Sequence, residues 1–430
     1  MSVTTGKHTM QSLARRLLSI AAVLLLWASL AIQSQIARAE DWPTYRHDNR
    51  RSGVTSESLN AAALKERWVY RAAVPPRPAW PGPAKWDAYA TVKPLRSMRD
   101  YDPVYYTIVV GNDLYFSSSA EDSVFCLDTA SGAEKWSYCA DGPVRIAPAW
   151  YGGNLYFGSD DGYVYCVKAA DGALVWKARP GPEDTLLPCD GRFISRWPVR
   201  TGVLIAEGKA YFGASLLPWQ SSYLCGVDAA RGAMEGPGLY RRIIENTMTL
   251  EGALLASATR LYVPQGRIPP AVFDLATGEP LGSFEGGGGA FALITPDSKF
   301  LHGPGNKAGW ITESAAETGD KMAQYEGGTA IVVTEDVSYL LSENALAAAS
   351  RKDRKALWKV ACDCPNTLIL AGKTLFAGGS GRVAALDTAT GEEVWSGKAE
   401  GQVHGLTAAN GALFVSASSG AIHCFKDTNE

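Results

Sequence analysis

The chain has 430 residues, 46% of them hydrophobic and 20% charged, which is enough apolar material for a large core and unlike a disordered segment. Its 41 Lys and Arg residues stand against 44 Asp and Glu, a formal net charge of −3. A phosphate-binding surface needs a basic excess that is missing here, so nucleic acid is not expected as a partner.

The first element is a leader. Lys7, Arg15 and Arg16 precede the apolar run from Leu17 to Ile32, and Ala37-Arg38-Ala39 supplies the small-x-small pattern that signal peptidase cleaves. Residues 1–39 are therefore expected to be a signal peptide. The remainder, from Glu40, is expected to be exported to the periplasm, cell envelope or extracellular space. The apolar run is short for a spanning helix of about 20 residues, and no later stretch matches that length, so no membrane span is expected after cleavage.

Next comes ERWVYR (66–71), a strand-like segment carrying Trp68, with no partner strands before it. The Pro- and Trp-rich stretch 75–89 follows, and reads either as an extended strap across the fold or as an adhesive surface.

From residue 104 one unit recurs. Its most regular part reads LDTASGAEKW (127–136), VKAADGALVW (167–176), VDAARGAMEG (227–236), FDLATGEPLG (273–282) and LDTATGEEVW (386–395). Asp128 and Asp387 sit where a carboxylate can accept the backbone N–H groups of a turn. Gly132, Gly172 and Gly391 supply the positive φ that the turn requires. Trp136, Trp176 and Trp395 follow on the next strand, as large flat groups placed to pack on a neighbouring sheet. A second pattern, of the type GNDLYFSSS (111–119), precedes each copy and occurs eight times.

Four short alternating strands per unit, joined by polar turns, make a propeller blade. The fold expected for residues 40–430 is thus all-β: a single eight-bladed β-propeller of four-stranded antiparallel blades. The blades fall at about 104–140, 143–180, 198–242, 249–287, 290–327, 328–361, 366–399 and 402–427. The last copy stops after its third strand, so the N-terminal strand 64–72 is expected to complete it and close the ring without an exposed edge.

In such a ring the innermost strands line a central channel. The loops entering them share one face with the loops between second and third strands. On that face the repeat places Arg145, Arg200 and His404 at the starts of innermost strands, with Asp160, Asp161, Trp219 and Arg267 in the other loops. Trp197 lies in a long insertion, 179–202, and a second insertion spans 216–223. These residues read either as a polar pocket or peptide-binding face, with Arg able to grip a carboxylate bidentately, or as ion pairs that fasten blades together.

Of the eight cysteines, Cys126, Cys166, Cys225 and Cys424 share one position on the third strand of four blades and read as buried packing. Cys139 and Cys189 lie in successive inter-blade loops on one face and are a candidate disulfide in an oxidising compartment. Cys362 and Cys364 are either free or bridged. His-Glu-x-x-His, Gly-x-x-x-x-Gly-Lys and Gly-x-Ser-x-Gly do not occur, and no His pair has ligand spacing, so neither catalytic residues nor a metal site are assigned.

The Asp-x-x-x-Gly-x-x-x-Trp turn resembles the tryptophan-docking repeat of PQQ-type propellers. The stretch DWPTYRHDNRRSGVT (41–55) resembles the start of many exported members. GPVRIAP (142–148), GSDDGYVYC (158–166) and SRWPVRTGV (195–203) are similar to a bacterial branch of PQQ-binding-like repeat proteins. This likeness implies one of two functions. Quinoprotein dehydrogenases oxidise alcohols or sugars with PQQ and calcium, and several carry a vicinal Cys-Cys pair, where this chain has Cys362-Asp363-Cys364. BamB-like proteins use an eight-bladed ring to bind other proteins. The function expected is a non-catalytic, exported scaffold without a cofactor, binding a protein or peptide partner in the cell envelope. The alternatives are a PQQ- and calcium-dependent dehydrogenase and a small-ligand or sugar-binding module.

Overall fold

Short strands with apolar residues on both faces need sheets stacked on either side of them, and a ring of sheets meets that need for every member. The computed structural model describes residues 40–79, 101–245, 248–266, 268–286, 291–303 and 310–427. The leader, most of the Pro- and Trp-rich stretch, and Arg267 lie outside the described residues. Among the described residues the regular structure is strand, apart from one 3-10 turn at Ala61–Ala63. None of their helices is long and apolar enough to cross a membrane.

The strands assemble in sequence order into antiparallel β-propeller blades. The first is Thr107–Val110, Asp113–Ser118, Ser123–Asp128 and Glu134–Cys139, and the second is Ala149–Tyr151, Asn154–Gly158, Val164–Lys168 and Leu174–Ala178. Four more four-stranded sheets follow, beginning at Leu204–Ala206, Leu255–Ala256, Phe291–Ile294 and Gly328–Val333. The seventh set, from Thr367–Ala371, is joined to the last by one long strand, Glu393–Ala409, which pairs with Ser380–Asp387 and then with Ala412–Ala417. Leu64–Arg71 pairs antiparallel with Ala421–Asp427, placing Trp68 opposite Cys424. The first three strands of each set are largely buried, whereas fourth strands such as Glu134–Cys139 alternate toward solvent.

The repeat residues explain both the turn and the stacking. Asp128 Oδ1 accepts the N–H groups of Ala130 (3.1 Å) and Ser131 (2.9 Å), and Gly132, at φ +71°, donates its N–H to Asp128 O. Asp387 and Gly391 repeat this arrangement. Each outer-strand tryptophan then docks on the next sheet. Trp68, Trp136, Trp176 and Trp358 lie over Gly132, Gly172, Gly232 and Gly391, where a Cβ would meet the indole at 2.6–2.7 Å. Only glycine permits so close an approach at a positive φ. The indole N–H groups donate to Thr129 O, Ala169 O, Ala229 O and Thr388 O at 2.9–3.1 Å, so the polar edge of each buried ring is satisfied. Trp395 donates to Leu64 O, on the N-terminal strand of the last set. In the third sheet Tyr240 takes the tryptophan's place over Gly278.

A segment outside the repeat binds the inner strands together. Residues 41–57 run past the first strands of most of the sheets. Pro43 O accepts from Trp150, Asn49 O from Ala256, Arg50 O from Ile294 and Gly53 O from Leu370, and Glu57 Oε1 accepts from Gly411. Val54–Thr55 adds a short parallel strand to Thr367–Ala371. Backbone groups at the inner strands are thereby paired with the backbone of this segment or, for Gly411, with the Glu57 carboxylate.

Candidate functional site

The loops entering the inner strands converge with the turns after the second strands, and four charged residues, Asp102, Arg145, Asp160 and Arg200, meet there. Asp160, at the end of Asn154–Gly158, is fixed through its own backbone, its N–H donating to Pro143 O and its carbonyl accepting from Ser195. Its carboxylate is fully buried. Arg200 approaches it bidentately, Nε to Oδ1 and Nη2 to Oδ2, both 2.8 Å. Arg145 Nε donates to Oδ2 at 2.8 Å. Arg145 Nη1 continues to Asp102 Oδ2 (2.6 Å) and to Arg77 O (2.8 Å), and Asp102 Oδ1 accepts the Ala79 N–H. The described part of the Pro-rich stretch is tied down through these contacts. Arg200 also forms a parallel bridge with Glu251, at the entry to the fourth sheet.

The electrostatics follow the geometry. Burial alone would raise the Asp160 carboxyl, but Arg200 and Arg145 outweigh it and hold it below the usual carboxylate range. For Asp102 burial wins over Arg145, and its pKa is raised. Burial opposes the Arg145 cation, but Asp160 and Asp102 overcome it and push its pKa up. Of the two readings open for these residues, the geometry matches the one in which arginines pair with aspartate and fasten neighbouring sheets.

The other expected site residues separate. Asp161 accepts from the Tyr165 hydroxyl (2.5 Å) and from the N–H groups of Tyr163 and Asp141, and burial raises its pKa. Trp197 is buried edge-on to Tyr223, with Nε1 donating to Ser221 O (3.0 Å). His404 is half-buried within Glu393–Ala409. Trp219 is 67% exposed, in the loop before Ser222–Asp228.

The insertion 179–202 holds an element that the repeat did not announce. Leu186–Cys189 and Arg192–Ser195 form a two-stranded hairpin of their own. Arg192 anchors it to the first sheet through Asp122 and Ala120 O, and Ile194 is buried beneath it. Its other side leaves Phe193 67% and Leu186 50% exposed. The Trp197–Ser221 hydrogen bond ties the base of the hairpin to the loop that carries Trp219.

Cys189, near the hairpin tip, and Cys139, at the end of an outer strand, are the expected candidate disulfide; in this structure both are exposed free thiols. Cys126, Cys166, Cys225 and Cys424 are free and buried. Cys362 and Cys364 are also free and buried; the Cys364 Sγ donates to Asp363 Oδ1 (3.6 Å), and the neighbouring Cys364 lowers the pKa of the Cys362 thiol.

A narrow cleft, with room for about one water, is lined by Tyr45, Arg51, Tyr101, Ile146, Ala253 and Phe291 among others. Sequence reasoning missed it, because Tyr45 and Arg51 precede the repeat. The dense Trp, Tyr and Arg content of 42–51 was the available signal.

Residues 91–234 and 306–429 match the family described as outer membrane protein assembly factor BamB. One curated relative, the dehydrogenase subunit of alcohol dehydrogenase (quinone) from Gluconobacter oxydans, is 29% identical over 122 residues, a match spanning 25% of this chain and only 16% of that subunit. Among solved structures, quinohemoprotein alcohol dehydrogenase from Comamonas testosteroni superposes with a TM-score of 0.64 at 15% identity, over 91% of this chain and 81% of its own. BamB from Moraxella catarrhalis superposes with a TM-score of 0.55 at 15% identity, over 84% of this chain and 99% of its own. At such identities the structural likeness speaks for the fold alone.

Proposed function

Because the chain belongs to the family of the outer membrane protein assembly factor BamB, we propose that it is an exported, non-catalytic propeller that binds a protein or extended peptide in the cell envelope. The observation that carries this reading is the apolar rim made by Phe193, Leu186 and Trp219 on the anchored hairpin and its neighbouring loop. Large aromatic side chains held out by a rigid element are poor for solubility and well suited as binding hot spots. The charged residues beside them are engaged with one another, so recognition falls to the apolar groups. Changing Phe193 and Trp219 together to Ser is expected to abolish capture of a defined envelope partner at unchanged melting temperature. Capture equal to wild type would remove the rim from the site.

The dehydrogenase alternative draws on the short match to the quinone-dependent subunit. Calcium takes six to eight oxygen ligands, carboxylates prominent among them. Both Asp160 oxygens and one Asp102 oxygen are already bound by guanidinium groups, a donor set that does not fit such a shell. Titration with PQQ and Ca²⁺, followed by tryptophan fluorescence and a dye-linked assay on alcohols and sugars, separates the two. Saturable quenching with turnover would establish the enzyme instead.

A further inference from the structure

Residue 40, the first after the expected cleavage site, is held more firmly than a chain end needs to be. Glu40 Oε2 accepts the Thr55 hydroxyl (2.5 Å), the Ser56 N–H (2.6 Å) and the Ser56 hydroxyl (2.7 Å), and Oε1 lies 3.4 Å from His47 Nε2. Two residues on, Trp42 exchanges both backbone hydrogen bonds with Val109. The Glu40 backbone nitrogen is thereby aimed at Glu57 and donates to its Oε2 at 2.7 Å. Glu57 is 1% exposed. Its Oε1 accepts the Gly411 N–H at 2.9 Å, in the turn between Glu393–Ala409 and Ala412–Ala417. Among the described residues no Lys, Arg or His side chain lies within ion-pair distance of this carboxylate. Burying a carboxylate without a paired cation is costly, and two amide donors offset only part of that cost.

We propose that removal of the leader supplies the missing cation: hydrolysis of the Ala39–Glu40 bond by an envelope signal peptidase frees the Glu40 α-amino group, which as an ammonium pairs with the buried Glu57 carboxylate. The hydrolysis takes up one water, its hydroxyl going to the Ala39 carbonyl carbon and its hydrogen to the Glu40 nitrogen. An α-amino group, ordinarily titrating at about 7.7–8.0, then gains a proton from solvent at neutral pH. Before cleavage the same nitrogen is a neutral amide with one hydrogen to donate. The ammonium keeps that hydrogen bond and adds a charge attraction, which is strong where water is excluded. Glu57 ends the segment that pairs with the inner strands, and Val54–Thr55 ties that segment to Thr367–Ala371. Pairing residue 40 with residue 57 closes the segment on itself against the Gly411 turn, so processing makes the mature chain more stable than its precursor. This inference shares with the proposed function only the export of the chain and is independent of the apolar rim.

The test uses the exported protein purified from the envelope. Its intact mass is expected to place Glu40 first; another first residue would overturn the proposal and leave the rim untouched. Inserting Gly-Ser between Ala39 and Glu40 moves the ammonium away and keeps the Glu40 amide, and is expected to lower the Tm by about 1–4 °C. In a Glu57→Gln background the same insertion is expected to shift the Tm by less than about 0.5 °C, since the partner of the charge is gone. If Glu57→Gln does not fold, acylation of the α-amino group decides the matter. Near pH 7 the folded wild-type chain is expected to react at least about tenfold more slowly than the chain unfolded in urea, because pairing holds the amine protonated. A Tm unchanged by the insertion, equal shifts in both backgrounds, or equal acylation rates would each overturn the proposal.

Discussion

Asp160→Asn probes the charged junction most sharply. The wild-type carboxylate accepts three guanidinium hydrogen bonds from Arg145 and Arg200 at 2.8 Å while fully buried. The amide keeps the shape but removes the charge and turns an N–H donor group toward an arginine. Removing one member of a buried ion pair costs about 3–5 kcal/mol, because the partner is left uncompensated. Arg145 retains Asp102 at 2.6 Å, so most of the loss falls on Arg200. At about 2.1 cal/mol/K of unfolding entropy per residue, a unit spanning residues 40–430 should lose about 4–6 °C in Tm. Adding Arg200→Met should recover part of this, since replacing both partners with apolar groups is far less costly. The sign in acid is also fixed. The Asp160 pKa lies below its ordinary 3.8, so its contribution is present above that value and lost as pH falls through the lowered one. The gap between wild type and variant should therefore narrow below pH 3.8. Differential scanning calorimetry across pH reads all of these. A variant that melts within 1 °C of wild type at pH 7 would refute the fastening role and return Asp160 to the list of ligand-facing groups.

Other consequences are equally concrete. Gly172→Ala places a Cβ 2.6 Å from Trp136 Cε3 at a φ of +72°, and should lower unfolding stability by about 1–3 kcal/mol in urea titrations; an unchanged midpoint would contradict the docking geometry. In the reduced native protein a thiol reagent should modify Cys139 and Cys189 rapidly and the six buried cysteines only after unfolding, and mass mapping of the early adducts checks this. Trp219→Ser alone should change stability by no more than about 0.5 kcal/mol, because the indole packs on little; a larger loss by thermal melting would place it in the core.

The blades were legible because each repeat residue has a local task. Asp128 caps a turn, Gly132 adopts a φ that other residues avoid, and Trp136 needs a large flat surface to cover. Where Tyr240 replaces tryptophan the pattern fades in the sequence but the docking survives. The mouth was legible only as a cluster. Arg145, Asp160 and Arg200 do converge, but sequence cannot say whether an arginine will meet a ligand or the aspartate across from it. Three features escaped. Arg51 and Tyr45 precede the repeat and act through partners as remote as Leu254. The anchored hairpin depends on the Arg192–Asp122 pair, which joins residues 70 apart. Trp197, read as part of a binding face, turned inward because Ser221 O and Tyr223 offer its ring a better-satisfied place.

The protein-binding assignment is tested most directly by photo-crosslinking in the native envelope from a reactive side chain at position 193, with position 322 on an outer strand as control. Phe193 is 67% exposed on the hairpin and Met322 45% exposed away from it. Discrete protein adducts from position 193, lost on Trp219→Ser and not seen from position 322, are the expected result. No adduct from position 193, or the same adducts from both positions, would contradict a partner-binding rim.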